Sequence, residues 1–111
     1  MSPPIFYHVH EKDNALYLCL EGDLDEKSFL TVSNALGGRP LDRPVKVDLA
    51  KVGYADSTGL RSLVLLQRHA RDAGVEFTLL SPSEPVKRIF RSTGLSQVFQ
   101  VADEDPENSC R

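Results

Sequence analysis

The stretch Asp56-Ser57-Thr58-Gly59-Leu60 decides how the rest of the chain is interpreted. Ahead of it, residues 45–49 (VKVDL) alternate apolar and charged side chains, which is typical of a half-buried strand. Behind it, residues 60–73 contain neither proline nor glycine, and Gly74 stands where a helix would end. Ser57 is therefore predicted at a strand-to-helix turn, where a hydroxyl can be exposed and where the helix dipole favours an added negative charge.

Length and composition limit the class of protein. A chain of 111 residues, 41% of them hydrophobic, indicates one domain, predicted over residues 1–102 and followed by a flexible acidic tail over residues 103–111. The net charge of -3 argues against a nucleic-acid partner, and no apolar run approaches the ~20 residues of a membrane span. Two cysteines, Cys19 and Cys110, are too few for a disulfide framework, and no signal peptide is evident. We therefore expect a cytoplasmic protein without membrane insertion.

The first half of the chain predicts a hairpin and a helix. Residues 5–10 and 16–21 carry strand patterns on either side of a polar turn, which indicates a β-hairpin. Residues 22–25 end the sheet pattern, and Asp25 is predicted as the N-cap of a helix that stops at Gly37-Gly38. The apolar face of this helix is predicted from its spacing and comprises Phe29, Val32, Ser33 and Leu36.

The second half predicts a parallel strand pair. Residues 75–80 form a strand that follows the central helix, so a right-handed crossover should place it parallel to the strand before Ser57. Ser83 is predicted to cap a third helix that ends at Gly94. Residues 98–101 would add an edge strand or a docking segment. Two predicted packing faces complete this half: Gly59, Leu63, Leu66, Ala70 and Ala73 on the central helix, and Val86, Ile89, Phe90 and Thr93 on the third.

The central turn can be compared with three known kinds of site and with a plain helix cap. Residues 55–59 approximate the nucleophile elbow of α/β-hydrolases, but the only later histidine, His69, lies inside the helix that the turn opens, so an esterase is the most distant alternative. The glycine-rich run of a phosphate-binding loop does not occur, nor does the βα repeat of a receiver domain. The plainest alternative is that Asp56, Ser57 and Thr58 only cap a helix and that Gly59 allows close packing.

Two pairs of residues could carry chemistry but have a simpler structural explanation. His8 and His10 fall on one face of the first strand, as a metal pair would, but no third ligand is apparent nearby, so we predict no metal and no cofactor. Asp23 and Asp25 could do acid-base work as a carboxylate pair, yet nothing else in the sequence supports that, and a turn residue and a helix cap explain them.

Five motifs follow one another in a specific order and spacing. They are Gly22-Asp23-Leu24-Asp25, Val47-Asp48-Leu49, Asp56-Ser57-Thr58-Gly59-Leu60, Ala73-Gly74, and Ser92-Thr93-Gly94-Leu95 with Val98-Phe99. Together they resemble the STAS domain of bacterial anti-sigma factor antagonists over nearly the whole chain. The resemblance implies an α/β fold, a single STAS-like domain with a mixed four- to five-stranded sheet and helices packed against it. The first acid of the family's Gly-Glu-Leu-Asp pattern is Asp23 here, which keeps the charge but shortens the reach.

The resemblance also implies a function by partner switching and not by enzymatic catalysis. An unphosphorylated antagonist binds an anti-sigma factor serine kinase of histidine-kinase-like ATPase fold and so frees a sigma factor. The kinase then phosphorylates the antagonist, at a position that corresponds to Ser57, and a metal-dependent serine phosphatase reverses the step. The partner-binding residues implied are Asp23, Asp25, Asp56, Ser57, Thr58, Gly59 and Leu60, although the position of Leu60 near the helix start favours the core over a contact surface. The alternatives are a STAS subunit of a lipid or solute ABC transporter complex and a non-sigma signalling scaffold.

Overall fold

The computed structural model describes residues 5–103, in which strands and helices alternate. The elements are β1 (Ile5–Lys12), β2 (Ala15–Leu24), α1 (Phe29–Ser33), β3 (Val45–Ala55), α2 (Ser57–Asp72), β4 (Phe77–Leu80), α3 (Glu84–Thr93), a 3-10 turn (Leu95–Gln97) and β5 (Gln100–Ala102). The strands lie in the order β1-β2-β3-β4-β5, with β1 antiparallel to β2 and all other neighbours parallel. The predicted α/β fold with a mixed sheet is confirmed. The predicted acidic tail lies, beyond Asp103, outside the described residues.

The predicted hairpin is confirmed and closes through a two-residue turn. Asp13 and Asn14 both adopt positive φ angles, of 51° and 61°. Such angles match the right-handed twist of the flanking strands, and asparagine and aspartate tolerate them better than most residues. The turn fixes the register so that Lys12 pairs with Ala15 and His8 with Cys19.

The sequence interpretation was wrong about where β2 ends and where α1 begins. Residues 22–24 stay in the sheet, with register shifts against β3, because β3 itself continues to Ala55 and offers a partner. The N-cap of α1 is Ser28 and not Asp25, and the helix ends with Asn34 as its C-cap, before the two glycines. Leu36 is fully buried although it lies beyond the helix, so burial and not helical continuity explains its apolar character.

The helices cover one face of the sheet. Residues at alternate positions of β2 and β3 meet the buried stripe of α2 in the main core, which includes Leu16, Leu18, Leu20, Val45, Val47, Leu49, Leu60, Leu63, Leu66 and Ala70. Ala73, predicted in that stripe, is exposed because it is already the C-cap of α2. A second, smaller cluster on the other face contains only strand residues, namely Ala15, Tyr17, Cys19 and Leu80.

The last third of the fold completes the sheet edge. Ser83 is the N-cap of α3 as predicted, but its hydroxyl donates to the Val52 carbonyl at 2.6 Å and not to its own helix. Gly94 ends α3 with a φ angle of 72°, and the predicted edge strand exists as β5. Thr93 is exposed and so does not belong to the predicted packing face, because it lies in the last turn of the helix. Within residues 5–103, no helix is both long enough and apolar enough to cross a membrane.

Candidate functional site

Ser57 is the first residue of α2 and is exposed to solvent. The residue before it, Asp56, adopts an extended backbone and caps the helix, with its Oδ1 accepting from the Gly59 amide at 2.8 Å. Because Asp56 supplies the cap, the Ser57 side chain is not needed for capping. Thr58, by contrast, is partly buried. The turn therefore presents one exposed hydroxyl at the positive end of a 16-residue helix.

The end of β2 lies directly against this turn. The Asp56 amide donates to the Leu24 carbonyl at 3.0 Å, and Leu24 pairs with Ala55 in the sheet. A Cβ atom added to Gly59 would lie only 2.0 Å from the Leu24 oxygen, so the start of α2 approaches β2 more closely than any residue with a side chain could. Parallel strands end at the same edge of a sheet, which is why the two segments meet here.

The segment after Leu24 is an acidic turn held by its own side chains. The Asp25 carboxylate accepts from the Lys27 amide at 2.9 Å and from the Ser28 amide at 3.1 Å. The Ser28 hydroxyl is fully buried, accepts from the Asp25 amide and donates to the Asp25 carbonyl. Asp25 is thus an organiser of the turn, and it remains partly exposed.

The structure brings most of the predicted site residues together. Asp23 and Asp25 flank Leu24, and Leu24 contacts the turn that carries Asp56 and Ser57, so four polar residues share one edge of the domain. This edge therefore combines the exposed Ser57 with the carboxylates of Asp23, Asp25 and Asp56.

Two predicted contact residues do not reach the surface. Leu60 is completely buried in the core, and Gly59 is buried under the β2 carbonyl. The packing of α2 explains why these two residues stand in the motif. Neither belongs to the contact surface.

Sequence reasoning missed two exposed apolar residues, of which Tyr54 adjoins this edge. Tyr54 is 50% exposed and pairs in register with Asp23, and Leu30, on α1, is 70% exposed. Leu30 does not fit the apolar spacing assigned to its helix. This misfit was the signal in the sequence that its side chain is exposed. Tyr54 could not be found this way, because the predicted strand stopped at residue 49.

The geometry does not support acyl transfer at Ser57. His69 lies 12 residues further along the same helix, which at 1.5 Å per residue is roughly 18 Å away. A general base must come within hydrogen-bond reach of its serine. What the site offers instead is an exposed hydroxyl on a fixed backbone beside negative charge, which suits a residue that another protein modifies.

Comparison with known proteins identifies the family. The family model described as "Mlab, STAS domain" matches residues 7–101. The anti-sigma-B factor antagonist of Listeria monocytogenes is 27% identical over 106 residues, an alignment that covers 93% of each chain.

Solved structures show the same fold. An anti-sigma factor antagonist from Mycobacterium paratuberculosis matches with a TM-score of 0.75 at 20% identity, over 95% of this chain and 90% of that one. The anti-sigma factor antagonist SpoIIAA, in its unphosphorylated form, matches with a TM-score of 0.73 at 17% identity, over 93% and 91% of the two chains. Because the family model spans most of the residues and the five-stranded mixed sheet agrees with these structures, the chain belongs to the STAS domain family.

Proposed function

We propose that this protein regulates transcription by partner switching, and that Ser57 is the residue that is phosphorylated. In its unmodified form the protein binds an anti-sigma factor serine kinase, which then releases its sigma factor. Phosphorylation of Ser57 by that kinase ends the interaction, and a metal-dependent serine phosphatase restores it. The observation that carries the proposal is the exposed Ser57 at the start of α2, with the acidic turn of β2 packed against the same helix end.

The names of the relatives support this function. The matching protein of Listeria monocytogenes is named as an anti-sigma-B factor antagonist, and the SpoIIAA structure is described as an unphosphorylated form. A phosphorylation switch needs an acceptor hydroxyl, and in this chain Ser57 is the hydroxyl that combines the motif position with exposure.

Exposure separates Ser57 from its neighbour Thr58. A kinase has to bring the acceptor oxygen in line with the transferred phosphoryl group, and a partly buried side chain inside the first helical turn is harder to reach. Ser57 lies at the very start of that turn and is exposed. We therefore assign Ser57 as acceptor and Thr58 to the surrounding contact surface.

The contact surface proposed for the kinase consists of Asp23, Asp25, Asp56, Ser57 and Thr58. Phosphorylation adds about -1.5 to -2 charges to a surface that already carries three carboxylates. A kinase surface that fits the neutral Ser57 hydroxyl closely then has to accommodate added negative charge and extra bulk, and unfavourable juxtaposition of charges across an interface costs several kcal/mol. The kinase should therefore release its own product.

The test has two parts and uses purified protein with its partner kinase, Mg²⁺ and ATP. Phosphopeptide mapping should place the phosphate on Ser57, with modification absent in Ser57→Ala and retained in Thr58→Ala. Calorimetry at fixed nucleotide should then show strong binding of the unmodified chain and of Ser57→Ala, and weak binding of the phosphorylated chain and of Ser57→Asp.

Two results would contradict the proposal. The first is modification that persists in Ser57→Ala and disappears in Thr58→Ala, which would move the acceptor by one residue. The second is recovery of a transporter ATPase, and of no small kinase, as the partner of the tagged protein, which would favour the role of a transporter subunit.

A further inference from the structure

Two histidines and a cysteine converge on the sheet face opposite the helices. His8 and His10 lie two residues apart on β1, and Cys19 of β2 is directly opposite His8 in the hairpin register. One ligand atom from each of the three side chains lies within 4.8 Å of the other two. The sequence alone suggested a histidine pair without a third ligand, because the predicted hairpin had no assigned register and so did not set Cys19 opposite His8.

His10, one of the three members of the cluster, has an unusual environment. Both of its ring nitrogens are buried and have no hydrogen-bond partner among residues 5–103. Its ring stacks between His8 and Tyr17, at centroid distances of 5.4 Å on each side. A buried polar nitrogen without a partner is costly, and a bound metal ion is one way of satisfying it.

Cys19 is disulfide-bonded in this structure, so the cluster is not ready to bind a metal through sulfur. A trialkylphosphine changes that: it takes an oxygen from water to become the phosphine oxide, while each sulfur receives one of the two protons. Cys19 then carries a thiol, and a divalent ion that binds it displaces the thiol proton into water. Thiols are also the state expected of cysteines in a reducing compartment.

We propose that, once its disulfide is reduced, Cys19 forms with His8 and His10 a three-ligand site for Zn²⁺ or a similar transition-metal ion. Two histidines and one thiolate are a ligand set that zinc accepts, with the fourth position left for water. Bond lengths of about 2.1 Å to nitrogen and 2.3 Å to sulfur place the ligand atoms of a tetrahedral site roughly 3.5 Å apart, so the ligand spacing has to shrink by at most about 1.3 Å.

Access to the cluster is open on one side. His8 is exposed, and a cavity of about 140 Å³ lined by Phe6, His8, Cys19 and Glu21 lies beside it. An ion can therefore enter without opening the sheet. The site is on the face of the sheet away from the helices, so it is independent of the phosphorylation proposed at Ser57.

Cobalt titration of the phosphine-reduced protein tests the proposal directly. One equivalent of Co²⁺ should bind, with a thiolate-to-cobalt charge-transfer band in the near ultraviolet and the strong visible bands of a tetrahedral ion. Loss of a supporting residue around a metal typically costs 10- to 100-fold in affinity, so loss of a ligand in His8→Ala, His10→Ala or Cys19→Ala should weaken Zn²⁺ binding by at least about 100-fold.

Matched controls come from the rest of the chain. His69→Ala removes the only other histidine, which is exposed on α2, and should bind as the wild-type chain does. Cys110→Ser leaves Cys19 as the only cysteine and should bind cobalt as the reduced wild-type chain does. Circular dichroism shows which variants are folded. If Cys19→Ala does not fold, the thiolate band of the wild-type chain still shows whether a cysteine sulfur binds the ion.

Three outcomes would overturn the proposal. One is a bound cobalt spectrum without the thiolate band in the reduced protein. Another is equal Zn²⁺ affinity in His69→Ala and in the double variant of His8 and His10. The third is a full thiolate band before the phosphine is added, since that would show that binding does not depend on reduction.

Discussion

Replacing Gly59 by alanine tests the contact on which the candidate site is built. The added Cβ would lie 2.0 Å from the Leu24 oxygen, 2.1 Å from its carbonyl carbon and 2.6 Å from the Asp25 nitrogen, whereas ordinary contact begins at 3.4 Å. All three atoms are backbone, so no side chain can rotate away, and either the start of α2 or the end of β2 must move.

The cost can be estimated from two terms. Overpacking of a well-filled interior costs about 1–3 kcal/mol. Displacing the helix start also weakens the Asp56 cap on the Gly59 amide, which contributes about 1 kcal/mol. Gly59→Ala should therefore lower the free energy of unfolding by about 2–4 kcal/mol, and the melting temperature by roughly 8–16 °C for a domain of this size.

Urea denaturation followed by circular dichroism measures this loss, and Gly53→Ala provides the control. Gly53 lies in β3, and a Cβ there would meet nothing within 4 Å. Its replacement should leave the free energy of unfolding unchanged within about 0.5 kcal/mol. If Gly59→Ala were as stable as Gly53→Ala, the close approach of α2 to β2 described above would be wrong.

Three further predictions follow from the same region and the core. Asp56→Ala should cost about 1 kcal/mol through loss of the cap, while Asp56→Asn should retain most of it, as thermal unfolding of the two variants would show. Leu66→Ala should lower the free energy of unfolding by about 2–5 kcal/mol because Leu66 is completely buried. Leu65→Ala should lower it clearly less because Leu65 is 39% exposed, and urea denaturation measures both losses. Phosphorylation of Ser57 should change amide chemical shifts around residues 21–25 and 54–62 only; changes that reach α3 would contradict a local mechanism.

Much of the fold could be predicted from the sequence because local signals and tertiary structure agree. A hydrophobic period and a boundary residue together indicate each of four features. These are the hairpin, the strand before Ser57, the helix after it and the third helix with its Ser83 cap. These signals are short-range, so they survive without knowledge of neighbours. The STAS resemblance then implied a mixed sheet of four to five strands with helices packed against it, whereas the full order of the strands was not predicted.

The errors occurred where a distant neighbour decides the outcome. Residues 22–24 remain a strand because β3 pairs with them, and this lengthening moved the start of α1 to Phe29. Aspartate is a residue type that often caps helices, and this is why Asp25 was predicted as the N-cap. Its carboxylate instead accepts hydrogen bonds from the Lys27 and Ser28 amides, in a turn before the helix. Leu60 showed the same ambiguity, since an apolar residue one turn into a helix faces core or solvent according to what packs above it.

The close contact between α2 and β2 also bears on how the proposed switch would act. Gly59 against the Leu24 carbonyl, together with the Asp56–Leu24 hydrogen bond, joins the acidic turn and the Ser57 turn into one surface with little freedom to rearrange. A phosphate on Ser57 would meet the positive end of α2, which favours an anion by roughly 0.3–1 kcal/mol and so stabilises the helix. Refolding would require a second packing within a few kcal/mol, against a core in which Leu60, Leu63 and Leu66 are fully buried. The proposed phosphorylation would therefore change what a partner encounters, in charge and in volume, without changing the fold that presents it.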